Sequence, residues 1–247
     1  KNLKRTPMEN PEENNNDLHF NNRIPLDELK TAVNNIKAQL SKIIIGQEDF
    51  IELLIVGLLA NGHVLIEGVP GIAKTITAKL FAKTLKTDFS RIQFTPDLMP
   101  SDVLGTSILN MKTSEFEFKK GPIFSNVILI DEINRAPAKT QAALFEVMEE
   151  RQITMDGERH IMEYPFIVLA TQNPVEQEGT YALPEAQLDR FLFKIKVGYP
   201  NLEQEITILK THHDRKQQIP ENAIEGVLTP EALRTFRAQV QEILIED

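Results

Sequence analysis

Cysteine is absent from the 247 residues, and its absence removes several chemistries at once. Disulfide bonds, thiolate metal sites and cysteine nucleophiles are all excluded. No apolar run approaches the roughly 18 residues of a membrane-spanning helix, and the first residues lack the apolar core of a signal peptide. We therefore expect a cytoplasmic protein without membrane insertion.

Positive charge is in the minority, because 27 lysines and arginines face 36 aspartates and glutamates, for a net charge of −9. Proteins that hold nucleic acid through its phosphates are usually basic, so this balance argues against nucleic acid as the main partner. The sequence also lacks a His-Glu-x-x-His zinc motif and any Asn-Lys pair, which a guanine-specific Asn-Lys-x-Asp run needs. A zinc protease and a GTPase are therefore not supported.

Residues 1–23 differ in composition from the rest of the chain. Seven of them are asparagine, and the apolar side chains are limited to Leu3, Met8, Leu18 and Phe20. Such a segment buries too little surface to offset the entropy lost on ordering. We predict a flexible polar arm over residues 1–23.

From residue 26 onward, helical and strand patterns alternate. Apolar spacing of three and four predicts helices over residues 26–40, 48–60, 75–85 and 138–150. Short apolar or alternating runs predict strands over residues 64–66, 89–94, 127–130, 166–170 and 192–197. Short strands separated by helices predict an α/β fold, with a parallel sheet covered by helices on both faces.

Two segments interrupt this alternation, and a third follows it. Residues 106–118 and 153–161 have the pattern of β-hairpins inserted into the α/β frame. After residue 200 the strand patterns stop. Residues 202–213 are helical in pattern, and Thr229-Pro230 is a good helix start, with a cap followed by proline.

A candidate phosphate loop, Gly-Val-Pro-Gly-Ile-Ala-Lys-Thr over residues 68–75, joins the first buried strand to a helix. Backbone N–H groups in such a loop and the positive end of the helix together cradle a polyphosphate. Lys74 would reach the β- and γ-phosphates, and Thr75 would bind Mg²⁺. The strict pattern has glycine where this chain has Ala73, so the motif alone does not separate a phosphate loop from a glycine-containing turn.

Polar residues near other predicted strands favour the phosphate-loop interpretation. Asp131 and Glu132 follow a fully apolar strand, and ligands of parallel sheets bind where the strands end. Asp131 can hold Mg²⁺ through water, and Glu132 can orient and deprotonate an attacking water. Asn173 follows the next strand, where its amide can bond the γ-phosphate or the water. Arg190 precedes the last strand, and an arginine can stabilise charge on a transferred phosphoryl group. The alternative for Arg190 is an ordinary salt-bridged surface arginine.

In this order the elements resemble an AAA+ ATPase, and the match is closer still to the MoxR family. The matching segments are residues 68–75, 93–102, 121–124, 131–136, 170–174 and 183–191. Residues 68–75 look like that family's own phosphate loop, alanine included. The resemblance covers about residues 43–200.

The resemblance implies a role for each matched residue. Those in the adenine pocket are Ile45, Gly46 and Gln47. Those in the Walker A loop and the turn after it are Gly68, Val69, Pro70, Gly71, Ile72, Ala73, Lys74, Thr75 and Ile76. Walker B comprises Asp131 and Glu132, and Thr75 and Asp131 are the residues at the metal. Asn173 corresponds to sensor 1, and Arg190 to the arginine finger that reaches the nucleotide of the next subunit. The catalytic residues implied are Lys74, Glu132, Asn173 and Arg190.

The implied fold is a P-loop AAA+ core over residues 24–198, with two hairpin inserts facing the pore of a ring, and the start of a small all-α lid over residues 199–247. The implied activity is ATP hydrolysis with ATP/ADP and Mg²⁺, in a ring that is expected to be a hexamer. The ring would remodel, mature or activate client proteins, some with a von Willebrand factor A domain and some by metal or cofactor insertion. No sensor 2 arginine motif follows Asn201, and a chain without one is expected to hydrolyse ATP slowly.

Three alternatives share these motifs. A magnesium-chelatase-like ATPase subunit would differ in its partner. A nucleic-acid motor of the same clade would need the lysines of the first hairpin, Lys112, Lys119 and Lys120, to meet a strand. The presence of both Asp131 and Glu132 argues against a nucleotide-binding scaffold with little turnover, whereas the missing lid motif keeps that alternative open.

Overall fold

The computed structural model describes residues 26–69, 71–173, 183–215 and 219–243. Within them, helices and strands alternate much as the sequence predicts. The helices are α1 (Asp27–Ser41), α2 (Glu48–Leu59), α3 (Lys74–Thr84), α4 (Pro100–Leu104), α5 (Ala138–Glu150), α6 (Glu185–Leu188), α7 (Leu202–Arg215) and α8 (Pro230–Gln241). The strands are β1 (His63–Gly68), β2 (Phe89–Gln93), β3 (Gly105–Asn110), β4 (Glu115–Lys120), β5 (Val127–Asp131), β6 (Gln152–Met155), β7 (Glu158–Ile161), β8 (Ile167–Gln172) and β9 (Phe191–Val197). The predicted arm over residues 1–23 lies outside the described residues.

Five strands form one parallel sheet in the order β2-β5-β8-β1-β9. Because all five run in one direction, every strand ends on the same side of the sheet, here called its carboxyl end, and starts at its amino end. The predicted parallel α/β fold is confirmed. The central strands are the most apolar ones, since each is flanked by strands on both sides and covered on both faces.

Side chains of β1 alternate between two hydrophobic layers. Val64 and Ile66 pack with α1, α2 and α3, whereas Leu65 packs in the opposite layer with α5. This alternation follows from the two-residue period of a strand. The predicted coverage of both faces is therefore observed.

The two predicted β-hairpins are also present, as β3–β4 and β6–β7. They contact each other, because the Phe118 ring stacks on the His160 ring at a centroid distance of 4.3 Å and Ser107 donates a hydrogen bond to Asp156. Beyond this contact the first hairpin continues outward with exposed apolar side chains, and Phe116 is 72% exposed.

The segment that contains α8 packs on the α/β core. Ile224, Leu228 and Phe236 share a hydrophobic layer with α1, α2 and α3. Thr229 caps α8 as predicted, since its hydroxyl accepts a hydrogen bond from the Ala232 amide at 3.3 Å. Residues 219–243 are thus tied to the same core as the sheet. The division at residue 199 into a core and a lid stays a prediction.

His63 begins β1 at the amino end of the sheet and is 4% exposed. Its Nδ1 accepts a hydrogen bond from the Val168 amide at 2.9 Å, so Nε2 carries the proton and donates to the Met148 carbonyl at 3.1 Å. The pKa of His63 is lowered to about 4, chiefly by burial and to a smaller extent by the nearby Arg151 charge, while the bond to Met148 opposes the shift. The folded protein therefore holds His63 neutral.

The low pKa of His63 predicts a loss of stability in acid. Between pH 6.5 and 4 the unfolded chain binds a proton at this residue and the folded chain does not, so the free energy of unfolding falls as the pH is lowered. In His63→Gln the side chain can keep one donor and one acceptor but does not titrate. Urea unfolding at pH 7.5 and pH 5 should show that the wild type loses about 2 kcal/mol more than the variant. Equal losses would contradict the assignment.

Candidate nucleotide-binding site

The candidate phosphate loop leaves β1 at the carboxyl end of the sheet. A side chain at Gly68 would place Cβ 2.5 Å from Ile72 Cδ1 and 2.8 Å from the Val197 carbonyl oxygen, so only glycine fits there. Gly71 and Ala73 have positive φ angles of 87° and 61°, and α3 begins directly afterwards. Such a backbone turns successive amides toward one concavity in front of a helix N-terminus. Pro70 lies outside the described residues.

Lys74 lies inside this turn. Its Nζ donates a hydrogen bond to the Gly68 carbonyl at 2.6 Å, so the ammonium folds back over the loop. Thr75 and Ile76 follow in the first turn of α3, and all three side chains are half-buried. The loop thus combines a positive side chain, a hydroxyl and the positive end of a helix, which is the chemistry that a polyphosphate needs.

The predicted adenine segment, Ile45 to Gln47, lies against the same loop. Gln47 Nε2 donates to the Ile72 carbonyl at 2.8 Å, which ties the start of α2 to the phosphate loop. Gly46 has a φ of 73°, and the Gln204 side chain of α7 occupies the space that a Cβ at Gly46 would need. Gln47 Oε1 is buried and finds no hydrogen-bond partner among the described residues. Gln47 is thus the residue of this segment that contacts the loop directly.

Asp131 ends β5 at the carboxyl end of the sheet and is 7% exposed. Its Oδ1 accepts a hydrogen bond from Thr171 Oγ1 at 3.2 Å, and its Oδ2 pairs with Arg91 Nε at 2.6 Å. Thr171 belongs to β8, the strand between β5 and β1. The sheet order therefore brings Asp131 to the side of the sheet on which the phosphate loop leaves β1.

Glu132 follows with a φ of 58°, which turns its side chain away from the line of the strand. Its Oε2 accepts hydrogen bonds from Gln93 Nε2 at 2.9 Å and pairs with Arg135 Nε at 3.2 Å. The backbone amide of Glu132 donates to Thr171 Oγ1 at 3.0 Å. The side chain is thus held in one position by donors from two segments.

No role was predicted from sequence for Arg91, Gln93 or Thr171, although residues 93–102 and 170–174 lie in segments that resemble the MoxR family. Arg91 and Gln93 are two residues apart on β2 and so share a face of the strand, and Arg91 also donates to Gln93 Oε1 at 3.2 Å. A period of two was visible in the sequence. The local sequence pattern does not show that β2 pairs with β5, or that Gln93 is aligned with Asp131.

Asn173 directly follows β8 and is 8% exposed, so it also lies at the carboxyl end, between the strands that carry Asp131 and the phosphate loop. The predicted residues Lys74, Asp131, Glu132 and Asn173 thus come from three adjacent strands and share one end of the sheet.

Arg190 lies elsewhere. It precedes β9, whose first residue is aligned with His63 at the amino end of the sheet. The six residues of β1 separate that position from the phosphate loop by about 17 Å, at 3.3 Å per residue. Arg190 Nη1 pairs with Glu149 Oε2 of α5 at 2.6 Å. The structure does not bring Arg190 to the phosphate loop of its own chain.

The site fits a nucleotide with Mg²⁺ better than a free metal ion. In the described ranges no group of three histidine, aspartate or glutamate side chains could hold a metal by itself. Mg²⁺ is commonly held by one or two carboxylates together with substrate phosphates. Thr75 and Asp131 supply that partial set, and the buried, unpaired Oε1 of Gln47 leaves an acceptor beside the loop. Among the described helices, none has the length and apolarity to cross a membrane.

Comparison with known proteins identifies a family and several relatives. Residues 63–193 match the model of the ATPase family associated with various cellular activities (AAA). Chaperone MoxR1 of Mycobacterium tuberculosis is 55% identical over 171 residues, which are 69% of this chain and 45% of the relative. The chain belongs to the MoxR family of AAA+ ATPases.

Further relatives of this MoxR-family chain cover more of its length. Protein YeaC of Bacillus subtilis is 46% identical over 90% of the chain and 68% of the relative, and Protein MoxR of Methylorubrum extorquens is 28% identical over 89% of the chain and 65% of the relative. A crystal structure of a Cytophaga hutchinsonii protein described as an ATPase superimposes with a TM-score of 0.80 at 43% identity, covering 89% of the chain and 66% of that protein. The chain thus spans about half to two thirds of the length of these proteins.

The left-handed backbone at Ala73 predicts which residues this MoxR-family loop tolerates. Ala73→Gly should keep nucleotide binding, because glycine adopts a φ of 61° without strain. Ala73→Val should weaken binding at least tenfold, because a β-branched residue is strongly disfavoured in this region. Fluorescence titration with a mant-labelled ADP measures both. Equal affinity for Ala73→Val and wild type would mean that the loop conformation is not needed for binding.

Proposed function

We propose that this protein binds ATP at the loop over residues 68–75, with Mg²⁺ at Thr75 and Asp131, and hydrolyses it to remodel client proteins. The observation that carries the proposal is the meeting of Lys74, Asp131, Glu132 and Asn173 at one end of the sheet. Membership of the MoxR family supports it, and the name of the mycobacterial relative, a chaperone, supports the client-directed part.

Each side chain has a chemical task in this proposal. The Lys74 ammonium leaves the Gly68 carbonyl and neutralises the β- and γ-phosphates, together with the loop amides. Glu132 accepts the proton of the attacking water. Its described contacts are both made by Oε2, which leaves Oε1 to face the water. Asn173 donates an amide hydrogen bond to the γ-phosphate or to that water. When bound, Mg²⁺ would neutralise charge on the phosphate oxygens.

The position of Arg190 supports a role between subunits. An arginine at the amino end of the sheet is too far from its own phosphate loop to stabilise the transferred phosphoryl group. A ring of subunits can present this arginine to the nucleotide of a neighbour. Before the subunits associate, the ion pair with Glu149 would hold Arg190 at the surface. We therefore propose that Arg190 acts in trans within a ring, which we take to be a hexamer.

Client proteins would meet the exposed hairpin β3–β4. Its outer part carries apolar side chains that water covers in the single subunit, namely Ile108, Leu109, Met111 and Phe116. Exposed apolar patches of this kind are typical of protein-binding surfaces. A client with a von Willebrand factor A domain and a role in metal or cofactor insertion remain parts of the proposal.

Two substitutions separate ATP binding from hydrolysis. Lys74→Ala should abolish binding of mant-ATP, because the loop loses the charge that opposes the phosphates. Glu132→Gln should keep binding while phosphate release falls by at least a hundredfold, because the amide cannot accept the proton. The control is Lys37→Ala, which removes an exposed lysine of α1 that pairs with Glu52. Undiminished mant-ATP affinity in Lys74→Ala would contradict the phosphate-loop assignment.

Mixing two inactive variants tests the role of Arg190 in trans. Arg190→Ala and Lys74→Ala should each be inactive alone, since each lacks one half of every site. In a mixture, a site is complete where an Arg190→Ala subunit supplies Lys74 and a neighbouring Lys74→Ala subunit supplies Arg190. Random assembly of equal amounts makes roughly a quarter of the interfaces complete. Phosphate release should therefore recover to about that fraction of wild type. A mixture as inactive as its components would count against action in trans.

A further inference from the structure

Arg91 neutralises a carboxylate that the proposed site needs for its metal. The Arg91–Asp131 pair has an Nε–Oδ2 distance of 2.6 Å, and the Asp131 side chain is only 10% exposed. The Arg91 side chain is 51% exposed. Its Nη2 also donates to Gln93 Oε1 at 3.2 Å, which anchors the guanidinium along the face of β2. One partner of the pair is therefore fixed in the core and the other is held at the surface.

A buried carboxylate without a positive partner is costly, because water no longer solvates its charge. The hydroxyl of Thr171 offers Asp131 one hydrogen bond but no charge. Among the contacts of the described residues, Arg91 supplies the opposite charge at this carboxylate. A divalent cation held at Asp131 would supply the same compensation. Arg91 and the cation therefore compete for one carboxylate.

We propose that Arg91 is a built-in counter-ion of Asp131 that a divalent cation displaces when it arrives with the nucleotide. This inference rests on the proposed nucleotide site. Displacement is inexpensive because the guanidinium is half-exposed and returns to water, where a surface ion pair is worth little. The cost still lowers the apparent affinity for the cation, since the cation binds only when the carboxylate is released.

The competing interpretation makes Arg91 a permanent partner that orients Asp131 for the metal. Partners of that kind raise metal affinity, and their removal typically lowers it by tenfold or more. The two interpretations therefore predict opposite signs for the same substitution. If Arg91 competes with the cation, removal of the guanidinium should tighten cation binding. If Arg91 orients the carboxylate, the same removal should weaken cation binding.

The test measures Mn²⁺ binding by the electron paramagnetic resonance signal of free Mn²⁺, with the protein saturated with ADP. Arg91→Gln should lower the Kd for Mn²⁺ about fivefold, the size expected for a half-exposed ion pair. Arg91→Lys keeps the positive charge and should stay close to wild type. Lys37→Gln is the matched control, because it removes an ion pair of 2.7 Å on α1 and α2 and should leave the Kd unchanged. An unchanged or higher Kd in Arg91→Gln would overturn the proposal.

Two further measurements keep the result interpretable. Binding of mant-ADP in EDTA should be equal in wild type and Arg91→Gln. Failure of wild type to bind mant-ADP would contradict the nucleotide site itself, whatever Arg91 does. In wild type, the Nε–H resonance of Arg91 in a ¹⁵N spectrum, assigned by its loss in Arg91→Lys, should shift on adding Mg²⁺ to the ADP complex. A resonance that does not move would overturn the displacement even if Arg91→Gln fails to fold.

Discussion

The parallel alignment of β5, β8 and β1 is the constraint on which the candidate site depends. Three adjacent strands that end together deliver Asp131, Asn173 and the phosphate loop to one end of the sheet, although up to about a hundred residues separate them in the chain. Thr171 of β8 joins this strand to β5, because its hydroxyl accepts a hydrogen bond from the Glu132 amide and donates one to Asp131. The site therefore depends on strands whose apolar side chains take no part in the proposed reaction.

The two ends of the sheet have different tasks in this account. The carboxyl end collects groups that suit phosphate and metal, whereas the amino end holds a neutral His63 and directs Arg190 toward the surface through Glu149. The length of β1 keeps these ends apart. In the proposed function each end of the sheet supplies one half of a phosphoryl-transfer site, and that function therefore requires association of subunits. Family membership gives the chain its fold, and the positions of these side chains give the proposal its mechanism.

Local patterns in the sequence predicted the central strands, most helices, both hairpins and the phosphate loop, because each depends on periodicity or on glycine in a special conformation. They missed what depends on neighbours in space. Arg91 and Gln93 contact Asp131 and Glu132 only because β2 pairs with β5. Glu149 pairs with Arg190 only because the fold brings the two residues together. The short helices α4 and α6 were missed because four or five residues carry too little periodicity to detect.

Hydrogen exchange measured by mass spectrometry tests the central claim most directly. Addition of ATP with Mg²⁺ should slow exchange in peptides covering residues 68–76 and 131–134. Loop amides that donate to phosphate open less often, and so does the backbone around a carboxylate that holds the metal. Residues 190–193, at the other end of the sheet, should be unaffected in a single subunit and become protected only when subunits associate. Protection confined to some other part of the chain, with residues 68–76 unchanged, would contradict the account.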